Sequence, residues 1–575
     1  MSDVLFITPN VHGNVRETPV GTLLLATILR NAGIDADILQ FFQFGDSEKY
    51  DAFLTRALDM IGEKNAKIVS FYTRCDTYHV VLDLAQRLKE RNPSVWTVFG
   101  GPQSDITAEQ TVRELPYVDF VCCGEGETTV VPFFTSLLKN CPDLSVPGLV
   151  YRTSSNVCKN PRPELLPDLD GLPEIDYSLV KNHSSTLYNK FAGLFPVDVG
   201  RGCPFGCTYC STKTFWGRKY RLKSPERIVE EIRHIHEQFG ITEFAFEHDM
   251  FTLRKDQVIR TCELLKTLDF PITWRCSARM DCLDEALVDT MAASGMKSIF
   301  VGIETGSPRM QKLINKNLKL DGILDMLTYI QKKSIQITAS FIYGFPEETP
   351  EDVAQTLALI AEIQKRKGME VQAHLCTFLP GTELSDRYLS DMTPTDGYSD
   401  IVGAMAVREC RHLIDAHPEL FHHFLEYKTP LRTRVQHIST FVKMWEFLRP
   451  VYQYLSGHYD GRIMDMYDDF VADNAQVLEQ TKSWTTSERI TTLHANDRFI
   501  HRFRDDPYYD MILDVYRLKK AALDLRDSGT DLYCVSPVQL MRCTELSQCE
   551  KSVYLVTMTK NETGGISYRV QKRMK

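Results

Sequence analysis

The chain has 575 residues, of which 43% are hydrophobic and 25% are charged, and its formal net charge is −10. This length predicts two or three domains, and the composition is that of a globular protein rather than a disordered one. The sequence has no long block of Lys and Arg, which argues against nucleic acid as a partner. The N-terminus lacks the basic and apolar regions of a signal peptide, and no run of about 18 apolar residues could span a bilayer. We therefore expect a cytoplasmic protein without a membrane partner.

The first 150 residues alternate short apolar runs with helical patterns. The runs are VLFIT (4–8), IVSFY (68–72), WTVFGG (96–101) and VDFVCCG (118–124). Strands that alternate with helices predict a doubly wound, Rossmann-like α/β domain with a parallel sheet. Ligands of such domains bind beyond the carboxyl ends of the strands, which is where the glycines of this segment fall.

A linker and a second α/β domain are predicted to follow. Residues 151–190 are rich in Pro and Asp and lack sustained periodicity, which is typical of a linker. Residues 191–390 contain six strand candidates, and each except the last precedes a helical pattern. The candidates are FPVDVG (195–200), EFAFE (243–247), ITWRC (272–276), SIFVGIE (298–304), ITASFIYG (337–344) and VQAHLCTF (371–378). Six βα units are too few for a closed eight-stranded barrel, so we predict a partial (β/α)6 TIM barrel with an open side.

The last region, residues 391–575, is predicted to be a mainly helical domain that ends in a β-hairpin, SVYLVTMTKNETGGISYRV. We expect this domain to cover the open side of the barrel and to select the substrate. His417, His422, His423 and the aromatic residues around Trp445 could line a pocket, but an amphipathic helix core has the same pattern and is favoured. The hairpin could bind a peptide substrate by strand addition. Cys543 and Cys549 are weakly spaced for a metal, and we assign them no role.

The segment RGCPFGCTYC contains the strongest motif. Cys203, Cys207 and Cys210 have the spacing C-x3-C-x2-C directly after the first barrel strand, at the end where barrel enzymes place their chemistry. Gly and Pro permit the tight backbone path that brings three thiolates around one iron–sulfur cubane. Three ligands for four irons leave one iron open to a chelating ligand. The alternative is a zinc site, which would need a fourth Cys or His nearby.

This spacing, with Tyr209 as the aromatic residue before the third cysteine, resembles the signature of the radical SAM superfamily over residues 195–385. The resemblance implies that the three cysteines are the catalytic and metal-ligating residues of a [4Fe–4S] cluster. It implies that the open iron binds the amino and carboxylate groups of S-adenosylmethionine (SAM). An electron from the reduced cluster then cleaves SAM to methionine and a 5′-deoxyadenosyl radical. An electron donor such as flavodoxin or ferredoxin is the expected partner.

Further segments resemble SAM-binding parts of that family at successive strand ends. EHDMFT stands where the family usually has Gly-Gly-Glu, while CSARMD, VGIETGS and YGFPEET follow the third, fourth and fifth strands. The candidate SAM contacts that they imply are Glu247, Asp249, Ser277, Arg279, Glu304 and Gly344. Taken singly, Arg279 could be a surface ion pair and Glu304 a satisfied strand-end carboxylate. Their order at successive strand ends favours a SAM site.

Over residues 1–150, the segments PVGTLLLATILRNAGIDADI, VFGGPQSD and VCCGEGETTV resemble the cobalamin (B12)-binding domain that precedes many radical SAM barrels. The implied cobalamin contacts are Gly100, Gly101, Gln103, Gly124, Glu125 and Gly126. Glycines there would let the backbone approach the corrin and its nucleotide tail. The Asp-x-His-x-x-Gly motif of another cobalamin class is absent, and the single residues His12 and His79 are more often structural. Gln103 stands just beyond Gly-Gly-Pro, where a histidine ligand to cobalt would otherwise be proposed. A cobalt without a strong lower ligand would lose a methyl radical more easily.

The two resemblances together imply a class B-like, cobalamin-dependent radical SAM methyltransferase. Such an enzyme transfers methyl from methylcobalamin to an unactivated carbon of a natural product or peptide, which offers no nucleophile for ordinary displacement. A non-methylating cyclisation or rearrangement with the same cofactors remains open. A tRNA methylthiotransferase would need a second cysteine trio, for which Cys75, Cys122 and Cys123 are poorly arranged. A non-catalytic cobalamin sensor is the alternative from a different class, and the intact cysteine motif argues against it.

Overall fold

The structure is a computed structural model. It describes residues 2–10, 19–42, 49–181, 194–366, 368–395, 406–480, 496, 498–510, 512–513, 515–516, 533–535, 553–560 and 566–573. His12, Cys543 and Cys549 lie outside the described residues.

The N-terminal region forms a seven-stranded sheet with helices between its strands. Its elements are β1 (Val4–Asn10), α1 (Val20–Asn31), β2 (Ala36–Phe42), α2 (Tyr50–Lys64), β3 (Ile68–Tyr72), α3 (Tyr78–Arg91), β4 (Trp96–Gly100), α4 (Pro102–Ile106), α5 (Ala108–Glu114), β5 (Phe120–Cys122), α6 (Val130–Leu138), β6 (Leu149–Arg152) and β7 (Val157–Lys159). The strand order is β2-β1-β3-β4-β5-β6-β7. The pairs β2–β1, β1–β3, β3–β4 and β4–β5 are parallel, whereas β5–β6 and β6–β7 are antiparallel. The predicted doubly wound fold is confirmed, and its switch point lies between β1 and β3.

The middle region forms a six-stranded sheet. Its elements are α7 (Ser178–Lys181), β8 (Phe195–Asp198), β9 (Gly200–Arg201), α8 (Thr212–Trp216), β10 (Arg221–Leu222), α9 (Pro225–Phe239), β11 (Glu243–Glu247), α10 (Lys255–Leu265), β12 (Thr273–Ala278), α11 (Glu285–Ala293), β13 (Met296–Glu304), α12 (Pro308–Leu313), α13 (Ile323–Lys332), β14 (Gln336–Tyr343), α14 (Pro350–Gln364) and β15 (Met369–Leu375). The order β15-β14-β13-β12-β11-β8 follows the chain and does not close on itself. The pairs β8–β11, β11–β12 and β14–β15 are parallel. The predicted six-stranded partial barrel is confirmed.

The C-terminal region is mainly helical. Its elements are α15 (Glu383–Tyr388), β16 (Thr393–Pro394), α16 (Arg411–Ala416), β17 (Leu425–Glu426), α17 (Pro430–Val435), α18 (Ile438–Phe447), α19 (Arg449–Leu455), α20 (Ile463–Gln480), β18 (Tyr533–Val535), β19 (Val553–Lys560) and β20 (Ile566–Arg573). The antiparallel pair β19–β20 is the predicted hairpin, and β18 adds a third antiparallel strand.

The chain divides into two compact units. Unit 1 consists of Met1–Ile299, Ile314–Lys316 and Thr377–Tyr427, and unit 2 of Phe300–Leu313, Asn317–Cys376 and Lys428–Lys575. These units do not coincide with the boundaries at 150, 190 and 390, which were inferred from composition and strand pattern and stay a prediction.

The hydrophobic core of unit 1 includes side chains from residues 406–424 as well as from the N-terminal sheet and helices. Phe421 is fully buried, and its ring centroid lies 5.7 Å from that of Tyr78 at the start of α3. The predicted C-terminal domain therefore contributes residues 406–424 to this core beside α2 and α3, where their apolar side chains are buried. The role of the domain in covering the open side of the barrel stays a prediction.

The core of unit 2 contains a cluster of aromatic rings. Trp445 is 1% exposed, and its ring lies 5.9 Å from that of Phe441 and 5.8 Å from that of Tyr452. The interpretation of these aromatic residues as a helix core is therefore confirmed. Among the described residues, no helix is both long enough and apolar enough to cross a membrane.

Candidate active site

The three motif cysteines lie on the loop that follows β9. Strand β9 pairs antiparallel with β10, so that Arg201 lies opposite Arg221. Gly202 starts the loop with a φ of +82°, and a Cβ at this position would lie 2.0 Å from the carbonyl oxygen of Lys219. Such a close backbone approach admits only glycine. The turn into Cys203 therefore depends on the glycine of the motif.

The thiols of Cys203, Cys207 and Cys210 are close enough to affect one another electrostatically. Burial raises the pKa of Cys203 to about 11, and the nearby Cys210 and Cys207 raise it further. Burial also raises the pKa of Cys210, to which Cys207 adds. The thiolates of Cys203 and Cys210 are therefore disfavoured unless a cation neutralises them, and a coordinating thiol is deprotonated by its metal. This donor set fits an iron–sulfur cluster.

Among the described residues, no three Cys, His, Asp or Glu side chains converge closely enough to hold one ion. Ligands of a zinc ion lie about 2.0–2.3 Å from it and must meet at one point. The thiolates of a cubane bind different irons, so they surround a larger body. The zinc alternative therefore finds no converging ligand set in the described part of the chain.

A segment distant in the sequence holds the cysteine loop in place. The Thr208 N–H donates to the carbonyl oxygen of Ile314 at 3.0 Å, and the Asn315 side-chain amide donates to the Gly206 carbonyl oxygen at 2.8 Å. The Leu384 N–H donates to the Thr208 carbonyl oxygen at 2.9 Å. Sequence reasoning missed this segment. Its only signal is the run Asn-Lys-Asn, in which Asn315 has a φ of +52°, a conformation in which Asn is enriched.

Of the two acidic residues predicted after the second strand, Asp249 joins the cysteine loop. It accepts hydrogen bonds from the Gly202 N–H and the Thr212 hydroxyl, both at 3.2 Å. Burial raises the pKa of Asp249, while these two bonds lower it. Glu247 ends β11 with a side chain that is 55% exposed, 3.8 Å from Arg275. The structure therefore places Asp249 on the loop and leaves Glu247 near the surface.

Arg279 follows β12 and its guanidinium is buried beside the cysteine loop. Nε and Nη2 donate to the carboxylate of Asp281 at 3.0 and 2.8 Å, and Nη2 also donates to the Lys316 carbonyl oxygen at 2.9 Å. Nη1 lies 4.0 Å from Sγ of Cys207. The reading of Arg279 as a surface ion pair is therefore wrong, since the residue is 6% exposed. Ser277 is half-buried on β12, two residues before Arg279 and on the same strand face.

Two further candidate SAM contacts lie in unit 2. Glu304 is the last residue of β13, and Gly344 directly follows β14. Glu304 is 7% exposed and has a φ of +69°. A carboxylate residue in this left-handed conformation is strained, and such strain is found mostly at functional sites. Gly344 has a φ of +79°, and a Cβ there would lie 2.7 Å from Cδ1 of Leu375. Backbone geometry thus sets both positions apart from ordinary strand ends.

Two residues that sequence reasoning missed brace the loop at Gly344. The Gly344 N–H donates to Oε2 of Glu348 at 2.5 Å, and Nη1 of Arg432 donates to the Gly344 carbonyl oxygen at 2.5 Å. Arg432 also donates to the Cys376 carbonyl oxygen at 2.8 Å. Burial raises the pKa of Glu348 to about 8, and nearby Arg432 lowers it. The Glu348 carboxyl group and the Arg432 guanidinium thus fix the backbone of the loop whose Gly344 is a candidate SAM contact.

At the carboxyl edge of the N-terminal sheet, the loop after β4 packs tightly on the loop after β3. Gly101 has a φ of +101°, and a Cβ there would lie 2.7 Å from the Thr73 carbonyl oxygen. The Thr73 hydroxyl donates to the Gly100 carbonyl oxygen at 2.9 Å and to the Ser104 hydroxyl at 2.8 Å. At Gly100, a Cβ would meet only the Cys122 carbonyl oxygen, at 3.9 Å. Gly101 is thus needed for loop packing, whereas Gly100 leaves backbone open.

The loop after β5 is held from both sides. The Gly124 N–H donates to Oδ2 of Asp105 at 2.9 Å, and Asp105 forms an ion pair with Arg162. A Cβ at Gly124 would lie 3.0 Å from Pro163, and one at Gly126 would lie 3.2 Å from the Leu25 side chain. Both glycines therefore let neighbouring parts of the chain come close.

The side chains of Gln103 and Glu125 are already engaged. Nε2 of Gln103 donates to the Leu420 carbonyl oxygen at 2.8 Å, and the residue is 3% exposed. The Glu125 carboxylate accepts from Arg201 at 2.7 Å and from Arg221 at 2.9 Å. Of the candidate glycines at this edge, Gly100 leaves its backbone most open, whereas Gly124 and Gly126 pack against Pro163 and Leu25. That these residues contact cobalamin stays a prediction.

Two protein-family models match this chain. The radical SAM superfamily model matches residues 197–360, and the B12 binding domain model matches residues 12–133. An uncharacterized methyltransferase of Pyrococcus horikoshii is 30% identical over 66% of this chain and 82% of that protein. An anaerobic magnesium-protoporphyrin IX monomethyl ester cyclase of Rubrivivax gelatinosus is 26% identical over 61% of this chain and 64% of that protein.

The fold is also found in a solved structure. The radical SAM methyltransferase TsrM of Kitasatospora setae, with tryptophan substrate and a SAM analog bound, matches with a TM-score of 0.57. The match covers 77% of this chain and 88% of that one at 17% identity, which shows a shared fold. With both domains in one chain and a relative matched over most of its length, this chain belongs to the B12-binding enzymes of the radical SAM superfamily.

Proposed function

We propose that this enzyme transfers a methyl group from cobalamin to an unactivated carbon of a small molecule, such as a natural product or a peptide. The observation that carries the proposal is a three-thiol loop and a glycine-lined sheet edge within one compact unit. When bound, the cluster, SAM and cobalamin supply a 5′-deoxyadenosyl radical and a methyl donor. The methyltransferase names of the Pyrococcus relative and of TsrM support the choice of methyl transfer.

The chain's own residues have distinct tasks in this proposal. Cys203, Cys207 and Cys210 hold the cluster, while Asp249 and Arg279 hold the loop that carries them. Ser277, Glu304 and Gly344 are proposed as SAM contacts at the strand ends. The left-handed φ of Glu304 supports its part in that site, because a strained carboxylate residue persists only where the surrounding structure enforces it.

A second candidate function keeps the same cofactors without methyl transfer. The cyclase of Rubrivivax gelatinosus is 26% identical over 61% of this chain, which favours a cyclisation or rearrangement as this alternative. Both reactions begin with the same radical. They differ in whether the methyl group of SAM reaches cobalamin and then the product.

Methylthiolation is disfavoured by the positions of the N-terminal cysteines. Cys122 ends β5 and Cys123 follows it, so consecutive side chains point to opposite faces of the sheet. Cys75 lies on a different loop, three residues after β3. These cysteines therefore lack the spacing on one short loop that Cys203, Cys207 and Cys210 have, which disfavours a second cluster site.

The partners and location follow from the chemistry. Reduction of a cluster requires an external electron donor, for which we propose a flavodoxin or ferredoxin. We propose a cytoplasmic location, because a reducing compartment keeps the cluster thiols free of disulfides.

The test is anaerobic reconstitution with iron, sulfide, cobalamin and SAM that carries a deuterated methyl group. We expect dithionite-reduced protein to form 5′-deoxyadenosine and to accumulate cobalamin with a deuterated methyl group, both detected by mass spectrometry. The triple variant C203A/C207A/C210A should form no 5′-deoxyadenosine. The matched control is C141A, which removes an exposed thiol outside the motif.

Two results would overturn the proposal in different ways. If 5′-deoxyadenosine forms but the label never reaches cobalamin, the cyclisation or rearrangement alternative replaces methyl transfer. If no 5′-deoxyadenosine forms although the cluster is fully loaded, the chain is a cobalamin sensor rather than a radical enzyme.

A further inference from the structure

A buried ionic group joins the loop after β5 to the strand that enters the cysteine loop. The Glu125 side chain is 2% exposed, and Oε1 lies 2.7 Å from Nη1 of Arg201. Its other oxygen accepts from the Leu166 N–H at 2.7 Å and from Nη1 of Arg221 at 2.9 Å. Burial alone would raise the pKa of Glu125, but the bonds from Arg221 and Arg201 lower it overall. The carboxylate therefore sits between two arginines as an anion.

Arg201 and Arg221 lie on two paired strands and share one aromatic neighbour. They face each other across the short antiparallel pair of β9 and β10, where like charges would repel without an anion between them. Both guanidinium groups also lie over the ring of Trp216, at 5.7 Å for Arg201 and 5.5 Å for Arg221. Cation–π contacts of this kind contribute most when they are desolvated, and both arginine side chains are 9% exposed.

Arg201 has a second anionic partner on the same N-terminal loop. Its Nη2 lies 2.7 Å from Oε1 of Glu127, whose side chain is 9% exposed. Asp198 at the end of β8 lies 3.5 Å from the same nitrogen. The carboxylates of Glu125 and Glu127, both in the Gly-Glu-Gly-Glu turn, thus form ion pairs with the same arginine. That arginine is two residues before Cys203.

We propose that Glu125 is a positioning residue that holds the cobalamin-binding loop at a fixed separation from the cluster-binding loop. The inference rests on the proposed function for the presence of both cofactors. Glu125 lies between Gly124 and Gly126, whose packing on Asp105, Pro163 and Leu25 holds the loop within its own domain. The buried charge network adds the link to the cluster-binding loop, and its geometry is set by several directional bonds.

The reaction gives a reason for such a constraint. A substrate carbon that loses hydrogen at one cofactor must take methyl at the other, so the separation of the two cofactors limits turnover. A displacement of about 1 Å can cost on the order of a hundredfold in rate when reacting groups must be aligned. Apolar side chains could join the same two loops, and replacing buried ion pairs with them is often neutral or stabilising. Directional bonds, in contrast, also set the distance.

The test measures the separation of the cofactors rather than activity. The probes are cob(II)alamin and the reduced cluster, each with an unpaired electron, bound to the full chain and observed by pulsed EPR. The first variant is Glu125→Gln, which removes the negative charge and keeps the shape of the side chain. The second is Glu127→Gln, which removes the ion pair of Glu127 with Arg201. The matched control is Glu109→Gln, an acid in α5 that pairs with Lys159 at 2.9 Å on the surface.

We expect E125Q to bind both cofactors and to lose the defined dipolar interaction between the two spins, which falls steeply with distance. E127Q should show a smaller loss, and E109Q should keep the wild-type spectrum. A wild-type dipolar spectrum in E125Q overturns the inference. If E125Q does not fold, a wild-type spectrum in E127Q overturns it instead, because the network then serves stability alone.

Failure of the proposed function is distinguishable from failure of this inference. If the wild-type chain binds the cluster but no cobalamin, the proposed function fails. If the wild-type chain binds both and transfers no methyl group, a changed dipolar spectrum in E125Q still supports the positioning role.

Discussion

The guanidinium of Arg279 stacks on the ring of Phe205, with 3.8 Å between Cζ and the ring centroid. Phe205 belongs to the cysteine loop, and Arg279 follows β12 of the barrel sheet. The stack therefore fastens the loop to the barrel beside Cys207, and the other guanidinium nitrogens are fixed by Asp281 and Lys316. A planar cation with several donors is required for this combination, which an ammonium group cannot reproduce.

We predict that R279K weakens retention of the cluster. A desolvated cation–π contact contributes about 2 kcal/mol. Its loss therefore changes the equilibrium constant for docking of the cysteine loop on the barrel roughly thirtyfold. Iron and sulfide content after anaerobic reconstitution, and the half-life of the cluster absorbance, measure the effect. R254K is the control. Arg254 donates to the carboxylate of Asp256, two residues later, as Arg279 does to that of Asp281, but its side chain is 57% exposed. Equal iron content and cluster lifetime in R279K and R254K would contradict the prediction.

The Gly101 backbone predicts a large effect of a single methyl group. We expect G101A to lower the free energy of unfolding by roughly 1–3 kcal/mol, because a Cβ would meet the Thr73 backbone and the φ of +101° strains any other residue. Cobalamin affinity should fall with it, since the loops after β3 and β4 move together. Urea unfolding and cobalamin titration measure the two effects.

The control for G101A is G62A in α2, where a Cβ has nothing within 4 Å. This variant should leave cobalamin affinity unchanged and stabilise the chain by about 0.4–1 kcal/mol, because alanine reduces the entropy of the unfolded chain. A G101A protein as stable as G62A would show that the close approach at Thr73 is relieved without cost.

Features encoded by local sequence were predictable. Short apolar runs located the six strands of the barrel sheet and four of the seven strands of the N-terminal sheet, because buried strands are apolar. The strands β2, β6 and β7 were not predicted, and β7 lies in the segment predicted to be a linker. The spacing of Cys203, Cys207 and Cys210 pointed to a cluster, because three ligands on one short loop need no knowledge of tertiary structure. The aromatic core around Trp445 followed from helical spacing in the same way.

Features that depend on distant parts of the chain were not predictable. Glu125 was proposed as a cobalamin contact, but its carboxylate binds Arg201, 76 positions later. Asn315 supports Gly206 across 109 positions, and no periodic pattern links the two. Such partners are chosen by topology, which brings separate strand ends and loops together. Single-sequence patterns carry no record of that choice.

The buried Glu348 predicts a stability that depends on pH. Its pKa is raised from 4.5 to about 8, chiefly by burial, so the folded protein holds this proton more tightly than the unfolded chain does. The stabilising contribution is fully present below about pH 4.5 and is lost as pH rises through about 8. Within this window, stability falls by up to about 1.4 kcal/mol per pH unit.

E348Q should abolish this part of the pH dependence. Glutamine keeps a carbonyl oxygen for the Gly344 N–H and does not titrate, so the variant should become more stable than the wild type near pH 8. Urea unfolding at pH 6 and pH 8 measures the difference. E351Q, at an exposed position of α14, should behave as the wild type at both pH values. Parallel pH profiles for the wild type and E348Q would rule out a buried proton at this site.

The packing of Phe421 predicts that the far C-terminal segment of unit 1 supports the cobalamin-binding region. Phe421 is 0% exposed and lies against Tyr78 at the start of α3, which follows the loop after β3. F421A should lower the free energy of unfolding by about 3–5 kcal/mol, because it leaves a cavity in a packed core. It should also weaken cobalamin binding, since the adjoining loop loses its support. F300A, at a ring that is 39% exposed, should change stability by less than about 0.5 kcal/mol. Urea unfolding and cobalamin titration measure the two effects. If the free energy of unfolding falls no more in F421A than in F300A, this segment is not part of the cooperative core.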